Sequence, residues 1–151
     1  MTRGLRTCAL GILIIVAACV LIAGCTTTPS TSAPTVAITS PQNGATVPGG
    51  NVTVTVQVQN FNVVAKQGQA NVTGEGHIHY YMDVTPLPST AGRPAIPADS
   101  NAVWSNVAAT TYTFANVPAG QHTFSVQLTN NDHSPVIPLV TDSVTVTVPA
   151  V

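Results

Sequence analysis

Charge is what this chain has least of. Asp, Glu, Lys and Arg make up 6% of its 151 residues, against roughly a quarter in an ordinary soluble domain. Arg3 and Arg6 lie at the extreme N-terminus, so from residue 25 onward Lys66 and Arg93 face Glu75, Asp83, Asp99, Asp132 and Asp142, a net side-chain charge of −3. So few cations leave no electrostatic footprint for nucleic acid or for anionic headgroups. Cysteine is missing as well: Cys8, Cys19 and Cys25 lie in the leader region and residues 26–151 have none. That excludes a disulfide staple, a thiolate nucleophile and a thiolate metal ligand in the domain. No Gly-x-Ser-x-Gly elbow, phosphate loop or His-Glu-x-x-His helix is present. The five scattered acids form no obvious carboxylate pair for glycoside hydrolysis. The expectation is a protein that is not an enzyme.

Arg3 and Arg6 precede residues 8–23, an apolar run broken only by Gly11, the pattern of a secretory h-region. The run ends in Leu21-Ile22-Ala23-Gly24-Cys25, which resembles the lipobox of prokaryotic lipoproteins. The resemblance implies a signal peptide over residues 1–24, lipidation of Cys25 and attachment to the cell membrane, at a prokaryotic cell surface or in a periplasm. The alternative is an uncleaved membrane anchor, since the run approaches the ~20 residues that span a bilayer. Both readings place the remainder outside the cytoplasm. Residues 25–34 are rich in Thr, Ser and Pro and read as an extended tether.

Beyond the tether the helical period is absent and alternation of period two takes over. Regular structure is expected from residue 35. Val52, Val54, Val56 and Val58 alternate with Thr53, Thr55 and Gln57, the mark of a strand with one buried and one wet face. Residues 77–84 alternate again, with Ile78, Tyr80, Met82 and Val84 on the apolar face and His77, His79, Tyr81 and Asp83 on the other. Residues 85–101 hold Pro86, Pro88, Pro94 and Pro97, so no central strand fits there. Further strands are expected near 102–107, 110–114, 122–129 and 142–148. The fold class that follows is all-β: residues 35–151 as a single antiparallel β-sandwich, which by resemblance is immunoglobulin-like. Asn51-Val52-Thr53 and Asn71-Val72-Thr73 make Asn51 and Asn71 candidate glycosylation sites in a host with that machinery.

The stretch 40–47 with its Val strand resembles the first hairpin of extracellular immunoglobulin-like domains, and residues 118–128 resemble a strand of the same class entered through a Pro-x-Gly-x-His corner. Residues 76–83 together with Asn131-Asp132-His133-Ser134-Pro135 resemble uncharacterised secreted prokaryotic lipoproteins with such a domain. A weaker similarity is to periplasmic copper-binding sandwich proteins, in which a histidine and an aspartate near one end hold Cu(II). Here Asp132 and His133 are adjacent, whereas that family separates the pair by one residue, and its amino-terminal histidine is missing.

If 77–84 is strand C and 122–129 strand F of that order, the two are antiparallel neighbours. His77, His79 and the Asp132-His133 loop then share one end, and His122 lies at the other, roughly 25–30 Å away at ~3.3 Å per residue. A His-x-His pair on a strand projects both rings from one face, about 7 Å apart at the backbone. With His133 as third ligand and Asp132 or Glu75 as fourth, a copper or zinc site is feasible. The competing reading makes His77 and His79 surface residues beside Thr and Gln. His122, in phase with Phe124 and Val126, is expected to pack at the corner with a backbone partner. Two functions stay open: a non-catalytic binding or adhesion module for an extracellular ligand or protein, contacted through the His77/His79/His133 end, or a copper- or zinc-handling protein.

Overall fold

The computed structural model describes residues 32–88, 90–99 and 101–150. The proposed leader, Cys25 and most of the tether lie outside them. Among the described residues eight strands follow one another: β1 (Thr35–Ser40), β2 (Gly50–Gln59), β3 (Asn62–Val63), β4 (Glu75–Met82), β5 (Val103–Val107), β6 (Thr111–Val117), β7 (Gly120–Thr129) and β8 (Thr141–Val148). One sheet runs β1-β2-β6. In the other, β4 pairs with β7 and β7 with β8, while β3 and β5 share the remaining edge of β4. All pairs between these strands are antiparallel except the two-residue match of β3 with β4. With β4 and β7 in the places of strands C and F, this is the sandwich expected from the alternation, in the immunoglobulin-like order that the resemblance implied.

The core lies where the two apolar faces meet. Val36, Ile38, Val52, Val54, Val56 and Phe114 of the first sheet face Ile78, Tyr80, Phe124, Val126, Leu128, Val144 and Val146 of the second. Four aromatic rings run through it in sequence, Tyr80 to Tyr112, Tyr112 to Phe114 and Phe114 to Phe124, with centroids 4.9–5.6 Å apart. The buried Tyr80 hydroxyl donates to the Ala109 carbonyl at 2.9 Å, which removes the cost of leaving it unpaired. Asp142 fastens the sandwich at its side: one carboxylate oxygen accepts the Ile38 amide at 2.7 Å.

One expectation needs correcting. The second face of β4 is not wet: His77, His79 and Tyr81 have no exposed surface, nor do Gln127 and Thr129 beside them on β7. The cover is the Pro-rich connection 84–101, which folds back over the sheet. Within it Ala95 is fully buried, and the Leu87 carbonyl accepts the Gln127 side-chain amide at 3.0 Å. Four prolines keep this segment out of the sheet, but they do not keep it off the sheet's face.

Gly76 marks how tightly β4 is held. A Cβ built there would run into the Thr129 carbonyl oxygen and come 2.9 Å from the Phe61 ring. Gly76→Ala should therefore lower the urea midpoint by the equivalent of about 2–3 kcal/mol, the cost of overpacking. An unchanged midpoint in equilibrium unfolding would show that β4 and β7 can separate freely at this end.

Candidate functional site

The site grows out of strand register. His77 pairs with Thr129 and His79 with Gln127, so the chain leaves β7 beside His77 and turns at once through residues 130–134. That turn is fixed by local bonds. The Asn130 amide donates to the Ser134 carbonyl and the His133 amide to the Asn130 carbonyl, at 2.8 and 3.0 Å. One Asp132 carboxylate oxygen accepts the Ser134 amide and hydroxyl at 2.9 and 2.6 Å. The Asn130 side chain reaches Ser134 and Pro135. His133 takes the left-handed conformation, φ 65°, uncommon for a residue with a Cβ, and its ring is thereby delivered onto β4.

Three imidazole nitrogens converge. His77 Nε2 to His79 Nε2, His77 Nε2 to His133 Nδ1, and His79 Nε2 to His133 Nδ1 are each 3.1 Å. Among the described residues these three form a His/Cys/Asp/Glu group able to share a metal ion. The ring centroids of His79 and His133 lie 5.4 Å apart, close enough for one ion to reach both at the ~2 Å bond length of zinc to imidazole.

The triangle is short of protons. His79 Nδ1 lies 2.8 Å from the Ala95 carbonyl, an acceptor only, so in the neutral ring the single proton sits there and Nε2 is a bare lone pair. His77 and His133 have one proton each to offer. Three edges of hydrogen-bond length can thus hold at most two hydrogen bonds. His77 Nδ1, meanwhile, is buried without a partner. A cation at the centre would use all three lone pairs at once. At a bond length of ~2.0–2.1 Å, neighbouring nitrogens lie roughly 3.3 Å apart in a tetrahedron and roughly 2.9 Å apart in an octahedron. The observed edge falls between these values.

The surroundings fit ligands rather than surface residues. Metal-bound histidines ordinarily donate their second N–H to a carbonyl or carboxylate, which sets tautomer and ring orientation; His79 and Ala95 have that relation. Tyr81 Oη is 2.8 Å from Gln127 Oε1 and 3.0 Å from the same Ala95 carbonyl, and the Ala95 amide donates to the His133 carbonyl at 2.6 Å. Trp104 lies against His79 with ring centroids 5.3 Å apart. Burial, and then the neighbouring His133, lower the His77 pKa to about 4; burial, and then His77, lower that of His79 to about 3. Both rings are neutral at pH 7, as coordination requires.

The proposed carboxylate ligands have other partners. Both Glu75 oxygens bind Lys66 Nζ at 2.8 and 3.0 Å, and one also accepts the Asn131 side chain. Lys66, and then Asn131, hold the Glu75 carboxyl below its ordinary range. Glu75 therefore steadies the turn two residues before His133. Asp132 is exposed and committed to Ser134. His122 lies at the far end of β7, with Nε2 3.1 Å from the Pro118 carbonyl as expected of a corner residue. Its Nδ1 is 2.7 Å from Asp83. Asn51 and Asn71 are both exposed, and the Asn71 side-chain oxygen accepts the Asp132 amide at 3.0 Å. The burial of His77 and His79 removes them from any contact surface for an extracellular partner. Ala95 and Gln127 escaped the sequence reading, because neither residue type signals a site.

Histidines with pKa values below the ordinary 6.5 favour the folded state most where they are neutral in both states. Stability is full above about pH 6.5 and is lost as pH falls toward 4 and then 3, because the unfolded chain takes up the protons first. In a chelator, the urea midpoint should drop over that window. Imidazole proton NMR should give midpoints near 4 and 3 for His77 and His79. Midpoints near 6.5 for both would mean that water reaches the rings freely.

Comparison with known proteins adds a family. No curated protein matches the chain. Among solved structures it is similar to the fibronectin(III)-like modules of Clostridium thermocellum CbhA, at 16% identity and a TM-score of 0.45 over 77% of this chain and 46% of that one. It is similar also to an engineered protein, at 17% identity and a TM-score of 0.44 over 80% of this chain and 21% of that one. The chain thus spans about half the length of the first and about a fifth of the second. Residues 54–149, from within β2 to the end of β8 and including all three converging histidines, match the model for a domain of unknown function (DUF4399), and the chain belongs to that family.

Proposed function

We propose that this domain binds one copper or zinc ion through His77 Nε2, His79 Nε2 and His133 Nδ1, as an extracytoplasmic metal-binding lipoprotein tethered at Cys25. The observation that carries the reading is the triangle of 3.1 Å edges. Buried lone pairs brought so close repel one another unless a proton or a cation lies between them. The donor chemistry narrows the metal. Imidazole suits zinc, copper, nickel and iron, whereas calcium and magnesium need oxygen ligands, and the carboxylates nearest the triad are held by Lys66, Asn131 and Ser134. A binding or adhesion module would have to present His133 without His77 and His79, which have no exposed surface.

Isothermal titration with metal analysis of the segment from Thr31 onward, a compact unit, should find one equivalent of Cu(II) or Zn(II) at pH 7. Copper should bind the tighter, following the general order of divalent affinities. His79→Ala and His133→Ala should abolish the site and His122→Gln should keep it. A hundredfold excess over the dissociation constant should stabilise the fold by about 2.7 kcal/mol. No uptake at micromolar metal would sink the proposal.

The location rests on the leader, with its basic start, apolar run and lipobox-like end. Intact mass of membrane-extracted protein should show a chain beginning at Cys25 and carrying a diacylglyceryl group. A chain that retains residues 1–24 would favour the uncleaved anchor.

A further inference from the structure

We infer that an ion in the triad keeps a fourth coordination position for an exchangeable solvent-derived ligand, which monodentate anions displace. This rests on the metal-binding reading above. Three donors cap one face of a tetrahedron, and the described residues supply three.

Each further donor nearby is turned elsewhere. Asp132 accepts from the Ser134 amide and hydroxyl. Glu75 is held by Lys66 and by Asn131. Tyr81 Oη lies 3.1 Å from His79 Nδ1, the ring atom that faces Ala95 and not the triangle. His77 Nδ1 belongs to a ring whose Nε2 already faces His79 and His133. A donor set of this kind, three histidines and an open place, separates reactive or exchanging zinc sites from the closed four-ligand sites that are purely structural.

Two further observations say what fills the place. His77 and His79 are fully buried while His133 is half-buried, so of the three ligands only His133 touches solvent. All three ligands are neutral imidazoles. The ion's charge is therefore not cancelled by its own ligands, and in a dry site an uncancelled charge draws an anion strongly.

The test uses cobalt(II) as a spectroscopic stand-in for zinc and azide as the anion, with the full-length protein in detergent. Exchange breaks one Co–O bond to water and forms one Co–N bond to azide, and no electron moves. The expected result is a saturable one-to-one shift of the cobalt d–d bands with cobalt retained after dialysis. Cobalt bands that ignore azide, or cobalt stripped from the protein by it, would overturn the open position while leaving the three-histidine site standing. Absence of any cobalt band that depends on His79 and His133 would remove the metal reading and this inference together.

Discussion

The pairing of β4 with β7 is the constraint on which the rest depends. Its register sets Ile78, Tyr80 and Met82 beside Leu128, Val126 and Phe124 on one face, and His77, His79 and Tyr81 beside Thr129, Gln127 and Ser125 on the other. A slip of one residue would exchange the two faces and put three polar rings into the hydrophobic core. The same register decides where the chain emerges from β7, and therefore that His133 returns over His77. Gly76 allows the close approach at this end, and no larger residue fits there without displacing the Thr129 carbonyl.

Burying a polar face is costly unless its donors and acceptors are matched. The match is made largely by backbone from the connection 84–101. The Ala95 carbonyl serves His79, the Ala95 amide serves the His133 carbonyl, and the Leu87 carbonyl serves Gln127. The atoms left over are informative. Tyr81 and Gln127 complete each other, while the three facing nitrogens of the histidines hold at most two protons for three edges. His77 Nδ1 and Asn131 Oδ1 are buried without a partner as well.

Much of this was legible in the sequence, for identifiable reasons. Alternation of period two revealed β2, β4, β7 and β8, because each carries an apolar or aromatic residue at every second position, Ile78, Tyr80 and Met82 in β4 and Val, Phe or Leu in the others. The expected C and F places of β4 and β7 were enough to bring His133 to His77 and His79 from more than fifty residues away. Periodicity is silent about what lies over a face, however, and His77 and His79 read as wet because polar residues flank them. Only the path of a proline-rich segment, which has no period, makes them dry. Glu75 and Asp132 were drawn toward the site by chemistry alone. Their real partners, Lys66 and Ser134, are set by short-range geometry that residue type does not reveal.

Trp104 is the only tryptophan in the chain, and it lies against His79 on β5. The protein's entire indole emission therefore originates beside the three histidines. Light absorbed there is sensitive to whatever neighbours the imidazole: a paramagnetic ion within a few ångströms quenches the excited state, and a closed-shell ion leaves it lit. The fold has placed its one optical probe at the point where occupancy and oxidation state would be read, with no label added and no residue replaced.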